Sequence, residues 1–114
     1  MRVPISIPVG GRDVKIVYVS KLEEGDRGAA CLDTGRIFVS KSAPAAEREI
    51  FETIFHELIH VALHRTGHAE ALDERQEEAI VYALEAMLAP LFVLGPVPGM
   101  RWRKVRFDFE EEGG

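Results

Sequence analysis

Cysteine is almost missing from these 114 residues: Cys31 stands alone, which excludes an internal disulfide framework and fits a reducing compartment. Positive charge is short as well. Fourteen Lys and Arg face nineteen Asp and Glu, giving a net charge of −5. That argues against general nucleic-acid binding, which depends on an excess of basic groups displacing counterions. No apolar run is long enough for a membrane. The richest stretch, residues 83–100, contains Glu85 and is interrupted by Pro90, Gly95, Pro96, Pro98 and Gly99, whereas a spanning helix needs about 20 apolar residues. Near the N-terminus, Pro4 and Pro8 break up the apolar residues, so no signal-peptide core is expected. Repeats and low-complexity linkers are absent too. The expectation is one soluble, cytoplasmic domain with no membrane or nucleic-acid partner.

What is present divides into a strand-like start, a helical middle and a short strand-like end. In residues 1–42, Val14, Ile16 and Tyr18 alternate with Lys15, Val17 and Val19 after a Gly10-Gly11 turn. A second run, Arg36 to Ser40, follows the turn residues Asp33, Thr34 and Gly35. The polar, glycine-containing stretch from Glu23 to Gly28 reads as a mobile loop, and the part as a whole predicts a small antiparallel sheet. Pro44 then suits the first turn of a helix over residues 43–67, with Gly67 as a left-handed C-terminal cap. At roughly 100° per residue, Phe51, Ile54, Phe55, Leu58, Ile59, Val61 and Ala62 cover about half of its circumference, as in a central, largely buried helix. A second helix, over residues 70–94, starts near Asp73, which has capping-box spacing to Gln76. Ile80, Ala83, Leu84, Met87, Leu88 and Leu91 are expected on its core face. Residues 100–109 read as a last strand, with Val105, Phe107 and Phe109 alternating against Arg106 and Asp108. The fold class is α+β: a small sheet, a two-helix hairpin and a C-terminal strand.

The free arc of the first helix holds the informative residues, His56-Glu57-Leu58-Ile59-His60, followed by His64. Histidines at i and i+4 lie on one helix face, so both imidazoles can reach one zinc ion. Glu57, about 100° round the helix, can reach the open coordination position and take a proton from a water there. A metal-free general base does not need the second histidine, and a purely structural zinc site does not need the glutamate.

Zinc requires a third protein ligand, and the hairpin restricts the choice. His60 lies about 10 Å back from Gly67, so an antiparallel second helix should offer its ligand about 5–8 Å beyond Asp73. Glu77 and Glu78 satisfy this. Glu70 and Glu74 come too early, and Glu85 too late. The helical wheel places Glu77 in line with Ile80, Leu84 and Leu88, and Glu78 on the flank in line with Glu85. A ligand must turn towards the partner helix, which favours Glu77.

The remaining candidates have ordinary explanations. His64 continues the i, i+4 series, but three ligands on one straight helix would span about 12 Å, so it is read as lining a cleft or the surface. His68 is a loop residue, and Cys31 a small buried residue near a strand. Leu63 and Thr66 stand where the longer H-E-x-x-H-x-x-G-x-x-H pattern requires Gly and His. Arg101, Arg103, Lys104 and Arg106 around Trp102 invite a nucleic-acid reading, but charge protecting an edge strand explains them better.

The segment from Glu52 to Gly67, with its His-Glu-Leu-Ile-His core, resembles the small zinc metallopeptidases encoded by phages and prophages. That group is similar in outline to ImmA/IrrE-type and other gluzincin-like minimal zincin domains. In it a short N-terminal sheet precedes the zinc helix, and a second helix carries a glutamate with apolar residues three and six positions on; Glu78, Val81 and Leu84 match that spacing. The resemblance implies a minimal zincin fold, one zinc ion per chain held by His56, His60 and Glu78, and hydrolysis of a peptide or protein substrate with Glu57 as general base. It leaves the donor for the reaction's oxyanion open among Tyr82, His64 and the arginines after residue 100. A zincin-like domain that binds metal without peptidase activity, serving as a structural or interaction module, is the competing expectation.

Overall fold

The alternation of β-branched and polar residues in Arg12–Val19 forms a strand, β2, whose Val14 and Ile16 are buried while Lys15 and Val17 face outward. The computed structural model describes residues 1–91 and 97–113. The strand β1, Arg2–Val9, precedes β2 and pairs with it antiparallel through the Gly10-Gly11 turn, both glycines having positive φ. Two prolines hid β1 in the sequence, and the structure accommodates them. Pairing with β2 begins only at Ser6, and the ladder on the other side shifts register between Pro4 and Ser6. The Tyr18 hydroxyl donates to the Pro4 carbonyl at 2.6 Å, tying the irregular stretch down.

Beyond β2, Gly28–Cys31 (β3) and Arg36–Ser40 (β4) form an antiparallel hairpin, and β4 lies parallel to β2 with Ile37 opposite Ile16. The sheet therefore has five strands in the order β3-β4-β2-β1-β5 and is mixed, not the small antiparallel sheet expected. The parallel pair sets Val14, Ile16, Ile37 and Val39 together in one buried cluster, with Ile50, Ile54 and Val61 of the first helix in the same core. Each such side chain contributes about 1.5–3 kcal/mol on burial. The expected strand over residues 100–109 is shorter. Only Arg101–Lys104 pairs, as β5 on the edge beside β1. The chain then turns to bury Phe107 edge-on against Tyr18, at 5.6 Å between ring centroids, before a 3-10 turn at Asp108–Gly113.

The first helix, α1, is Glu47–Arg65, later in starting than residue 43. Pro44 is buried in the preceding loop, and the Ala45 N–H donates to the Glu49 carboxylate at 2.7 Å. At the other end Gly67 takes the left-handed conformation, φ 79°, and its N–H donates to the His64 carbonyl. The second helix, α2, is Glu74–Leu88, opened by a reciprocal capping box between Asp73 and Gln76. A 3-10 turn follows at Ala89–Leu91, and residues 92–94 of the expected helix lie outside those described.

The orientation of α2 departs from expectation. Ile80, Leu84, Met87 and Leu88 are all exposed, Ala83 with them, and Val81 is the buried residue of the helix; the Leu91 side chain is outside those described. The side turned to α1 carries Glu77, Glu78, Val81 and Glu85, a rotation of roughly 70° from the apolar stripe at 100° per residue. In this orientation the carboxylates meet the histidines of α1. Among the described residues no helix is long and apolar enough to cross a membrane.

One cation fastens α1 to the sheet. The Arg65 guanidinium donates to the carbonyls of Val9 (3.0 Å), Arg12 (3.1 Å) and Asp13 (3.3 Å), around the β1–β2 turn. Replacing Arg65 by Ala is expected to cost about 2 kcal/mol, read in a thermal melt as a fall of about ten degrees. An unchanged Tm would show that the clamp adds nothing to stability.

Candidate metal centre

Helix periodicity puts His56 and His60 one turn apart on the side of α1 that faces α2, with ring centroids 5.1 Å apart. Each ring is framed by carboxylates from α2. His60 Nδ1 donates to Glu77 Oε2 at 2.5 Å, and its Nε2 lies 2.6 Å from Glu78 Oε1. His56 Nδ1 donates to Glu85 Oε2 at 2.7 Å, and its Nε2 lies 3.9 Å from Glu78 Oε2. Glu78 thus faces the Nε2 atoms of both histidines, while Glu77 and Glu85 take the two Nδ1 positions. Antiparallel packing explains the set: Glu77 and Glu78 meet the later histidine and Glu85, two turns on, meets the earlier one.

Glu57 completes the group. One ligand atom from each of His56, Glu57 and His60 lies within 4.8 Å of the others. Glu57 is only 8% exposed, and it has no hydrogen bond or ion pair among the described residues. Its burial comes from β3. A Cβ on Gly28 would collide with the Thr53 methyl group and lie 3.5 Å from Glu57 Cγ, so glycine is what lets this edge strand close over the helix. Burial pushes the Glu57 carboxyl above the usual carboxylate range, with Glu78 and Glu85 adding to the rise and His56 and His60 opposing it.

These donors fit a divalent cation. Four carboxylates, Glu57, Glu77, Glu78 and Glu85, surround two imidazoles, and a neutral imidazole has one N–H to give. With Nδ1–H committed to Glu77 or Glu85, each Nε2 presents a lone pair, and in His60 that lone pair faces a carboxylate oxygen at 2.6 Å. Protonation of the ring removes that conflict, and so would a cation held by both groups once they part from direct contact; two histidine nitrogens with a carboxylate oxygen is a donor set suited to zinc. The Nδ1 partners also hold each ring in the tautomer that leaves Nε2 free for a metal.

The other candidates separate cleanly. His64 Nε2 lies 3.0 Å from Glu77 Oε1, behind His60, and His68 pairs with the Thr66 hydroxyl in an exposed turn. Cys31 ends β3, half-buried rather than in the core. Arg101, Arg103 and Lys104 belong to β5, the strand at the opposite edge of the sheet from β3. One contributor was not legible in advance. Glu85 was set aside as too distant for a ligand, yet it reaches His56, and its alignment with Glu78 on the wheel was the available signal. Tyr82 stands edge-on to His56 at 5.0 Å, 59% exposed.

Because folding raises the Glu57 pKa, the folded chain holds its proton to higher pH than the unfolded chain does. Stability without metal is therefore full below the unfolded value near 4.3 and declines as pH rises through the folded one. In excess chelator, Glu57→Gln should melt above wild type at pH 8, and the difference should vanish towards pH 4. Equal melting temperatures at both pH values would mean that the buried carboxylate carries no such cost. No family model matches the chain, and neither the curated proteins nor the solved structures give a significant match, so its chemistry is read from these side chains themselves.

Proposed function

We propose that this protein is a zinc-dependent metallopeptidase with a minimal zincin-like site, in which His56, His60 and Glu78 hold the metal and Glu57 is the general base. The observation that carries this reading is the convergence of both histidine Nε2 atoms on Glu78 beside a buried, unpartnered Glu57. A bound zinc ion would supply a Lewis acid that polarises a peptide carbonyl and acidifies water. The chain's own groups do the rest. Glu57, its proton affinity raised by burial, takes the proton from the attacking water and passes it to the departing amine. Glu77 and Glu85 keep the two rings in register through Nδ1. Tyr82, lining the same cleft as His56 and Glu57, is the group placed to donate to the developing oxyanion. His64 is already engaged by Glu77, and the arginines of β5 are on the far edge of the sheet.

Elemental analysis of protein purified without chelator or a histidine tag should give about one zinc per chain, lost in His60→Ala. Glu57→Gln should keep the metal while peptide hydrolysis drops by about a hundredfold or more. Zinc bound with no turnover of any peptide by wild type would turn the reading into that of a metal-binding structural module. Failure to bind zinc at all would remove the metal centre.

A further inference from the structure

Two cavities open on either side of Glu57, and among the described residues it is the one side chain that lines both. They differ in chemistry. The first, about 310 Å³, runs between the turn before β3 and α2 and is walled by Asp26, Glu52, Glu57, Glu85 and Tyr82, with Arg27 at its edge. Arg27 is the one lysine or arginine among these lining residues, against four carboxylates; its guanidinium is 55% exposed and also reaches Glu49 at 4.0 Å. Among the described residues Glu52 is paired with Arg48, whose side chain is 85% exposed and easily displaced. Asp26 has no ion pair among the described residues. Tyr82 offers an exposed aromatic ring to the same space.

The second cavity, about 440 Å³, has apolar walls from Ala30, Leu32, Ala69 and Leu72. Of its carboxylates from α2, Glu77 and Glu78 are engaged with His60 and His64, and Glu74 stands at the first turn of the helix with no ion pair among the described residues. The first cavity thus carries an excess of negative charge beside an aromatic ring, and the second combines small and medium apolar walls with carboxylates, two of which are engaged by histidines. Glu57, more than nine-tenths buried and aimed into both cavities, has no partner of its own.

Resting on the peptidase reading above, we infer that the substrate is a peptide that places a lysine or arginine side chain in the cleft between Asp26, Glu52 and Tyr82, and an apolar side chain on the opposite side of the reacting bond. A long basic side chain matches the cleft in three ways. Its stem lies along Thr53 and the Tyr82 ring, its cation meets Asp26 and Glu52, and the ring face adds a cation–π contact. An acidic side chain in the same place meets like charge on two walls.

The test has a cleavage arm and a binding arm. Zinc-loaded wild type is given a peptide library varied on both sides of the scissile bond. Lys or Arg on one side should exceed Glu by about tenfold or more in kcat/KM, with Leu or Ala preferred on the other. Asp26→Lys with Glu52→Lys should abolish or invert the preference, and Asp26→Asn with Glu52→Gln should flatten it while melting like wild type. In the binding arm, zinc-loaded Glu57→Gln is titrated with fluorescein-labelled peptides carrying Leu-Lys or Leu-Glu at the same position. The Lys peptide should bind more tightly, the more so at low salt, and the advantage should disappear when the two acidic residues are neutralised.

Cleavage without a basic preference, or with one that survives charge reversal, overturns this inference and leaves the peptidase reading standing. No cleavage at all, together with charge-sensitive binding of the Lys peptide, overturns the peptidase reading and keeps the cleft's preference for a basic side chain. Equal binding of the two labelled peptides by Glu57→Gln counts against the cleft in either case.

Discussion

Everything in the helical half of this protein is arranged around one electrostatic conflict: too many carboxylates for the two imidazoles they surround. Glu57, Glu77, Glu78 and Glu85 all bear on His56 and His60, at distances of 2.5 to 3.9 Å for those from α2. Such a concentration is costly in a half-buried place unless opposite charge accompanies it. Two hydrogen bonds from the Nδ1 atoms offset part of the cost. The remainder is the physical reason for a cation-binding reading, and it does not depend on the order of the residues in the chain.

That conflict also explains how α2 sits. Its sequence carries a regular stripe of Ile80, Leu84 and Leu88, which by itself should turn inward. The helix instead presents its carboxylates and Val81 to α1 and leaves the stripe exposed. Charge-assisted hydrogen bonds to histidine are each worth about 1.5–3 kcal/mol, comparable with burying one aliphatic side chain. Two such bonds and a glutamate facing both Nε2 atoms offset part of what the exposed stripe gives up.

The parts of the structure that were legible from the sequence are those governed by local geometry. The i, i+4 histidines, the glutamate between them, the Asp73–Gln76 cap and the Gly67 terminus each depend on a few neighbouring residues, and each stands where the spacing puts it. What escaped depends on distant partners. Pro4 and Pro8 disguised β1, which is a strand because β2 and β5 flank it. The parallel pairing of β2 with β4 has no local signature. Glu85 had no reason to be linked to His56 until the pitch of the hairpin was known. Both Glu77 and Glu78 meet His60, because the rotation of α2 follows the histidines of α1 and not its own apolar wheel.

The strand order has a kinetic consequence. The residues of the candidate metal site and of both cavities beside it fall between Asp26 and Glu85, so they come together through contacts that span about half of the chain or less. The β1–β5 ladder joins Arg2 to Lys104, at nearly opposite ends of the polypeptide. Closing so large a loop carries an entropic cost that grows with its length, and contacts of that span slow folding. The helix hairpin and the β3–β4 strands can therefore assemble early, while the far edge of the sheet is still open. In a chain built this way, the sheet edge farthest from the candidate site is expected to close last.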